Sequence, residues 1–254
     1  MQVLLFILGL VIGSFFNVVI HRWSKGESIK DPWYSRCPVC KNRLKWYHNI
    51  PIISYLLLKG RCAYCQSPIS IRYPLVELLT GFILLWCYFK VKPIFGWEGF
   101  VVLSTFSLVL IPISFIDLEI KEIPDALSLF LIFSGWFFSL IGINPLISGE
   151  ISLVSGCAGI GMLFLINEIY YLITKRDGMG MGDFKLMGGI GAYLGYKSFY
   201  YVILIASITG ILGYIAILLL FKAKGEKADF DSKAQIPFGP FLALGSLIYI
   251  FIWI

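Results

Sequence analysis

The chain has 254 residues, of which 58% are hydrophobic and only 14% charged, with a formal net charge of +6. Soluble domains carry about a quarter of their residues as charges, and a chain of this length has no soluble core large enough to bury so much apolar surface. Composition therefore excludes the soluble classes and leaves an all-α, polytopic membrane protein.

Apolar segments follow one another at 2–20, 74–90, 99–116, 125–143, 152–173, 184–196, 198–221 and 237–254. Several approach the roughly 20 residues that a helix needs to cross the hydrocarbon core, so about eight transmembrane helices are expected. The first has no basic leader and no small-residue cleavage site, and it carries Asn17, so it reads as a retained span. Residues 21–73 differ in kind: they are polar, basic and hold four of the six cysteines. They read as a small domain outside the bilayer. The sixth segment is short and rich in glycine (Gly188, Gly189, Gly191, Gly195), as a half-span or a tightly packed helix would be. The stretch KAKGEKADFDSK (222–233) reads as a mobile charged loop.

Lysine and arginine set the orientation. If the segments alternate, one side receives residues 21–73, 117–125, 174–185 and 222–236, with 18 of the 21 Lys and Arg. The other side receives Lys90, Lys92 and Lys197 only. That asymmetry places the cysteine domain and the loop before the sixth segment in the cytoplasm. Both chain ends then face outward, which needs an even number of crossings.

Within 21–73, Cys37-Pro-Val-Cys40 and Cys62-Ala-Tyr-Cys65 form two CxxC pairs. Four thiolates in two such pairs suit one tetrahedral, structural zinc. A thiol-redox role would want the same thiols on the oxidising outer side, against the predicted orientation. Cys87 and Cys157 lie within spans and read as buried apolar thiols. His21 and His48 have no nucleophile motif nearby, which disfavours a serine hydrolase. Glu77, in the first turn of the second span, reads either as a buried partner of an arginine or as a functional carboxylate.

Carboxylates at membrane edges are costly and point to function. Asp117 ends the third segment, where a helix C-terminus disfavours a negative charge. Asp125, after Ile-Pro, reads as the N-cap of the fourth, and Asp177 as a loop charge. Asp183 closes the run Gly180-Met-Gly182-Asp183 and opens the sixth. A side chain at Gly180 or Gly182 would block an extended substrate or another helix, and glycine there also permits a positive-φ turn. Two facing carboxyls can share a proton and act as base and acid on a peptide bond. Paired intramembrane carboxylates also suit an ion transporter.

The ordered stretches GSFFNVVIHR (13–22), CPVC (37–40), NIPIISYLLLKGRCAYC (49–65), IRYPLVELLTG (71–81), IDLEIKEIPD (116–125), GMGDFKLMGGIGAYLG (180–195) and IPFGPFLALG (236–245) together resemble the type IV prepilin peptidases. These are membrane aspartic proteases of the Gly-x-Gly-Asp class. The resemblance implies that Asp117 and Asp183 are the catalytic pair and that Asp125 is not. It implies cleavage of a short basic leader ending in Gly from prepilins or pseudopilins, at the cytoplasmic face of the inner membrane. It also implies methylation of the new N-terminus with S-adenosylmethionine, an activity linked to the N-terminal region. A general intramembrane aspartic protease is the nearest rival. The expected division is a first transmembrane helix (1–20), a cytoplasmic zinc domain (21–73) and a transmembrane peptidase core (74–254). Substrate pilins and the lipid bilayer are the expected partners, and nucleic acid is not.

Overall fold

Helix dominates because an apolar chain in hydrocarbon must satisfy its backbone internally. The structure, a computed structural model, describes residues 1–223 and 237–253. The charged loop expected at 222–233 lies almost wholly outside them. Among the described residues there is no β-strand, and the helices form two compact units, Met1–Pro112 and Ile113–Ile254.

In the first unit, α1 (Gln2–Ser24) packs against α3 (Arg72–Trp86). Gly9 and Gly13 make that approach possible. A Cβ at Gly9 would stand 2.6 Å from the Gly81 Cα, and one at Gly13 2.7 Å from the Glu77 Cα. Both are well inside the ~3.5 Å of carbon contact. The two glycines form a Gly-x-x-x-Gly pair, the pattern that lets membrane helices meet backbone to backbone. In the last turn of α1, the buried Arg22 donates to the carbonyls of Ser28, Ile29 and Tyr34, which fastens the start of the cysteine domain. That domain contains the short helix α2 (Ile53–Leu57) and a 3-10 turn at Trp46–Asn49.

A π-turn (Cys87–Val91) joins α3 to α4 (Lys92–Ile120). The run Arg72–Ile120 has 49 residues, about 74 Å if straight and more than twice the hydrocarbon core. It is not straight. Gly96 leaves helical geometry (φ 68°, ψ −161°), a backbone state open to glycine. The Tyr88 ring then lies 6.3 Å from that of Phe100, whereas 12 helical residues span about 18 Å. The two apolar segments expected here are thus separate lengths of helix folded at Gly96.

In the second unit, α4 ends at Ile120, with Lys121 left-handed (φ 57°) and its N–H on the Asp117 carbonyl at 2.8 Å. Then come α5 (Asp125–Leu140), α6 (Gly149–Thr174), α7 (Met181–Leu194), α8 (Ser198–Ala223) and α9 (Gly239–Trp253). The glycine-rich α7 is a tightly packed helix, one of the two forms expected of it. It has only 14 residues, about 21 Å, and is buried from Asp183 to Leu194 apart from Lys185. Its neighbours approach closely, with a Cβ at Gly159 of α6 falling 2.6 Å from the Met187 carbonyl oxygen. Its last carbonyls, orphaned at any helix end, accept bonds from Ser152 Oγ (to Ala192) and Asn144 Nδ2 (to Tyr193) at 2.7 and 3.1 Å.

Every expected apolar segment contains a helix, with non-helical ends at 141–143, 195–196 and 237–238, but not every helix is long enough for a full crossing by itself. Among the described residues, four elements are long and apolar enough to span: Gln2–Ser24, Arg72–Ile120, Gly149–Thr174 and Ser198–Ala216. Asp125–Leu140 and Gly239–Trp253 are shorter apolar helices.

Candidate active site

Asp117 sits in the last turn of α4 and is only 4% exposed. Its Oδ2 accepts the backbone N–H of Gly239, at the start of α9, at 2.9 Å. A Cβ at Gly239 would fall 2.8 Å from that oxygen and 3.0 Å from Ile123 Cδ1. Glycine at 239 is therefore a condition for this carboxyl's position. Sequence reading missed that role, and the only available signal was a glycine between Phe238 and Pro240.

Asp183 is the third residue of α7, also buried, at 8% exposure. Its backbone N–H donates to the Gly180 carbonyl at 3.1 Å, and its Oδ2 accepts the Gly180 N–H at 3.3 Å. This is the returning half of a capping box, since glycine has no side chain to supply the other half. Oδ1 is buried and has no hydrogen-bond partner. A cap thus occupies one oxygen and leaves the other unused, in a setting where unmatched polar atoms are costly.

Gly182 fulfils one of its two expected roles. A Cβ there would meet Ile123 Cβ at 2.8 Å, so the residue lets the short link 121–124 close over α7. The expected positive-φ turn is absent: Gly180 has φ −79°, and neither glycine is among the positive-φ residues. The chain enters α7 in extended geometry, which any residue adopts. A Cβ at Gly180 would meet only Asp183 Oδ2, at 3.8 Å, so the approach to that carboxyl is open.

Ile123 is the shared wall. It touches Gly182 one residue before Asp183 and lies against Gly239 beside Asp117. Asp117 and Asp183 thus flank one residue, Ile123. The loop before α7 is held by Asn167 of α6, whose Oδ1 accepts the N–H groups of Gly178 and Met179 at 2.9 and 3.1 Å. Asn167 was missed as well. A lone Asn in an apolar run was its only signal.

Asp125 is not an N-cap. Pro124 holds that position and Asp125 is the first helical residue of α5, with no side-chain cap bond. A carboxylate is favourable there through the helix dipole, and it pairs with Lys185 at 2.6 Å. Asp177 is an exposed loop residue, as expected, and Glu119 and Glu122 are also exposed.

The cysteines form a second site. Each CxxC is a knuckle closed by one β-bridge, Arg36 to Arg43 and Arg61 to Pro68. The two match residue for residue. Lys41 and Gln66 share φ 59°, and the Cys37 and Cys62 N–H groups donate to the Asn42 and Ser67 carbonyls at 3.0 and 2.9 Å. The four Sγ atoms lie within 4.8 Å of one another, with Cys37 and Cys65 at 3.9 Å. A tetrahedron of ~2.3 Å zinc–sulfur bonds needs edges near 3.8 Å, so the donor set fits zinc. All six cysteines are free thiols. Hydrogen bonds from Ser67 pull the Cys65 thiol down to about 6. Cys40 is pushed up to about 11: burial and the neighbouring thiols outweigh a backbone bond from Asn42.

Glu77 is buried, and its partner is not an arginine. Its Oε2 accepts the Ile52 N–H at 2.8 Å. His48 stacks edge-on against Tyr47 and Tyr64, a packing role.

Two family models match the chain. The bacterial peptidase A24 N-terminal domain covers residues 7–91, and the type IV leader peptidase family covers 104–215. The chain is similar to the "prepilin leader peptidase/N-methyltransferase" of Aeromonas hydrophila, 36% identical over 96% of this chain and 88% of the relative. The proteins of that name from Neisseria gonorrhoeae and Xanthomonas campestris are 36% and 37% identical, covering 95% and 97% of this chain and 87% and 89% of theirs.

The chain belongs to the type IV leader peptidase family.

No solved structure matches it. The leader peptidase match contains Asp117 and Asp183 and stops short of Gly239, while the N-terminal match contains the cysteines and Glu77.

Proposed function

We propose that this leader peptidase cleaves the basic leader from type IV prepilins or pseudopilins through Asp117 and Asp183, and then N-methylates the new N-terminus. The observation that carries the proposal is the pair of buried carboxyls at the ends of α4 and α7, on either side of Ile123, with Asp183 Oδ1 left without a partner.

Two carboxyls at close range ionise one at a time. The ionised member takes a proton from water as the oxygen attacks the scissile carbonyl. The protonated member hydrogen-bonds that carbonyl and then protonates the leaving nitrogen. Gly180 keeps the approach to Asp183 open, while Gly182 and Gly239 let Ile123 and Asp117 take their positions.

The lysine and arginine asymmetry supports an inner-membrane, multi-pass arrangement with both sites on the cytoplasmic side. A basic leader stays in the cytoplasm, so its junction with the apolar pilin helix falls at that face, where exposed Glu119 and Glu122 attract it. Zinc on Cys37, Cys40, Cys62 and Cys65 has a structural part, since all four positions are ligands. The division into 1–20, 21–73 and 74–254 belongs to the same reading. S-adenosylmethionine is the methyl donor, with the N-terminal region, Glu77 included, as the place of transfer.

The test is the initial rate of cleavage of a defined prepilin across pH, in detergent or lipid. A coupled dyad yields a bell, with the acid limb marking loss of the base and the alkaline limb loss of the acid. A rate rising through one pKa to an alkaline plateau would indicate a single base and end the two-aspartate account. Chelators leave the cleavage chemistry itself untouched.

A further inference from the structure

The interface of α1 and α3 buries more hydrogen-bond acceptor than donor. Asn17 is 2% exposed, its Nδ2 donates to the Tyr73 carbonyl at 2.9 Å, and its Oδ1 is buried with no partner. Glu77 lies one turn along α3 from Tyr73, as Ser14 and Gly13 lie one turn along α1 from Asn17. Gly13 abuts the Glu77 backbone. Asn17 and Glu77 therefore stand one helical turn apart along the same helix pair. Among the described residues, no cation pairs with Glu77. Buried carboxylates are ordinarily paired with a cation, and an orphan amide oxygen adds its own cost.

The carboxyl's one backbone partner is also unusual. Ile52, which donates to Glu77, has φ 62° and ψ −51°. The Ile53 N–H bonds the Pro51 carbonyl at 2.6 Å, which makes a γ-turn of the rare, strained hand. A β-branched residue in that state is an outlier. Strain of this sort persists where surrounding structure enforces it and clusters at binding sites. The turn presents one N–H to Glu77 Oε2.

We propose that Asn17 Oδ1 and Glu77 form a binding site for a primary α-ammonium group. Such a group is cationic and donor-only, which suits an amide oxygen without a donor and a buried carboxyl without a cation. The inference rests on the N-methylation reading, which supplies two sources of that chemistry. One is the new N-terminus of the cleaved pilin. The other is the amino-acid end of the methyl donor.

The experiment measures binding to the full chain in detergent, for wild type and Glu77→Gln. Gln keeps an oxygen for the Ile52 N–H and loses the charge. The first probe is a peptide starting at the new N-terminus, labelled at its C-terminus, with its amine free or acetylated. The second is S-adenosylhomocysteine. If the pilin amine is the ligand, wild type prefers the free amine by about tenfold or more, the range for one hydrogen bond to a charged group. Glu77→Gln then abolishes that preference and leaves the acetylated peptide unaffected. If the donor's amine is the ligand, Glu77→Gln weakens S-adenosylhomocysteine by a similar factor and leaves both peptides unchanged. Either result supports the site. Wild type and variant binding all probes alike, with wild type binding S-adenosylhomocysteine, overturns the site and spares the methylation reading. Wild type binding neither S-adenosylhomocysteine nor the free amine selectively removes both. The acetylation comparison in wild type needs no variant to fold.

Discussion

The aspartate site and the cysteine site are built in opposite ways. Around Asp117 and Asp183 the chain is closely packed except at Gly180: Gly182 and Gly239 leave no room for an added methyl against Ile123 and Asp117. The cysteine region has almost no apolar interior. Between residues 25 and 71 only Cys37 and Cys62 are buried hydrophobic residues, while Trp33, Trp46 and Leu57 are 81%, 78% and 78% exposed. One site is positioned by van der Waals contact between helices, the other by short turns and a donor set for metal. The first should therefore be sensitive to shape and to single charges, the second to ligand removal.

The largest effect expected is on charge at the packed site. Asp117→Asn and Asp183→Asn should each reduce prepilin cleavage by about 10³-fold or more, within the range for loss of a general acid or base. Zinc content and thermal stability should hardly change, because Asn still accepts a hydrogen bond from Gly239 or Gly180. Substantial turnover by either variant removes that residue from the pair.

Shape comes next. Gly239→Ala places a methyl 2.8 Å from Asp117 Oδ2, and the carboxyl must yield. Cleavage should fall about 10²-fold, the scale of an ångström's misplacement, while the cysteine region keeps its metal. An unchanged kcat would show that the carboxyl's position against α9 is immaterial.

Metal tests the other half of the comparison. Metal analysis should find one zinc per chain. Stripping it, or making Cys40→Ser, should open residues 21–73 to protease, because structural zinc supplies on the order of 10 kcal/mol to so small a unit. Cleavage should fall less than in the aspartate variants. A stripped protein with an intact protease pattern would mean that the turns alone hold the knuckles.

The smallest effect belongs to Asp125. Its pair with Lys185 leaves the carboxylate 66% exposed, and exposed pairs contribute about 0–1 kcal/mol. Asp125→Asn should keep cleavage within about twofold of wild type, given so small a contribution. A loss comparable to that of Asp183→Asn would bring Asp125 into the site.

Residue order alone was enough for the knuckles, because a CxxC pair places both thiols within one local turn and depends on little beyond it. It was also enough for the helices, whose apolar runs have no other way to satisfy their backbone in hydrocarbon. The candidacy of Asp117 and Asp183 was legible too, from charge at the ends of apolar segments. Only the tertiary structure decided what surrounds them. That Gly239, 122 positions from Asp117, gives its N–H to that carboxyl, that Asn167 holds the loop before α7, and that Asp125 pairs with Lys185 instead of capping α5 are outcomes of packing. Local sequence determines which atoms are available within a turn. Contacts between distant segments are chosen by how helices of given shape fill space, and a difference of one methyl between glycine and alanine decides whether two of them can meet.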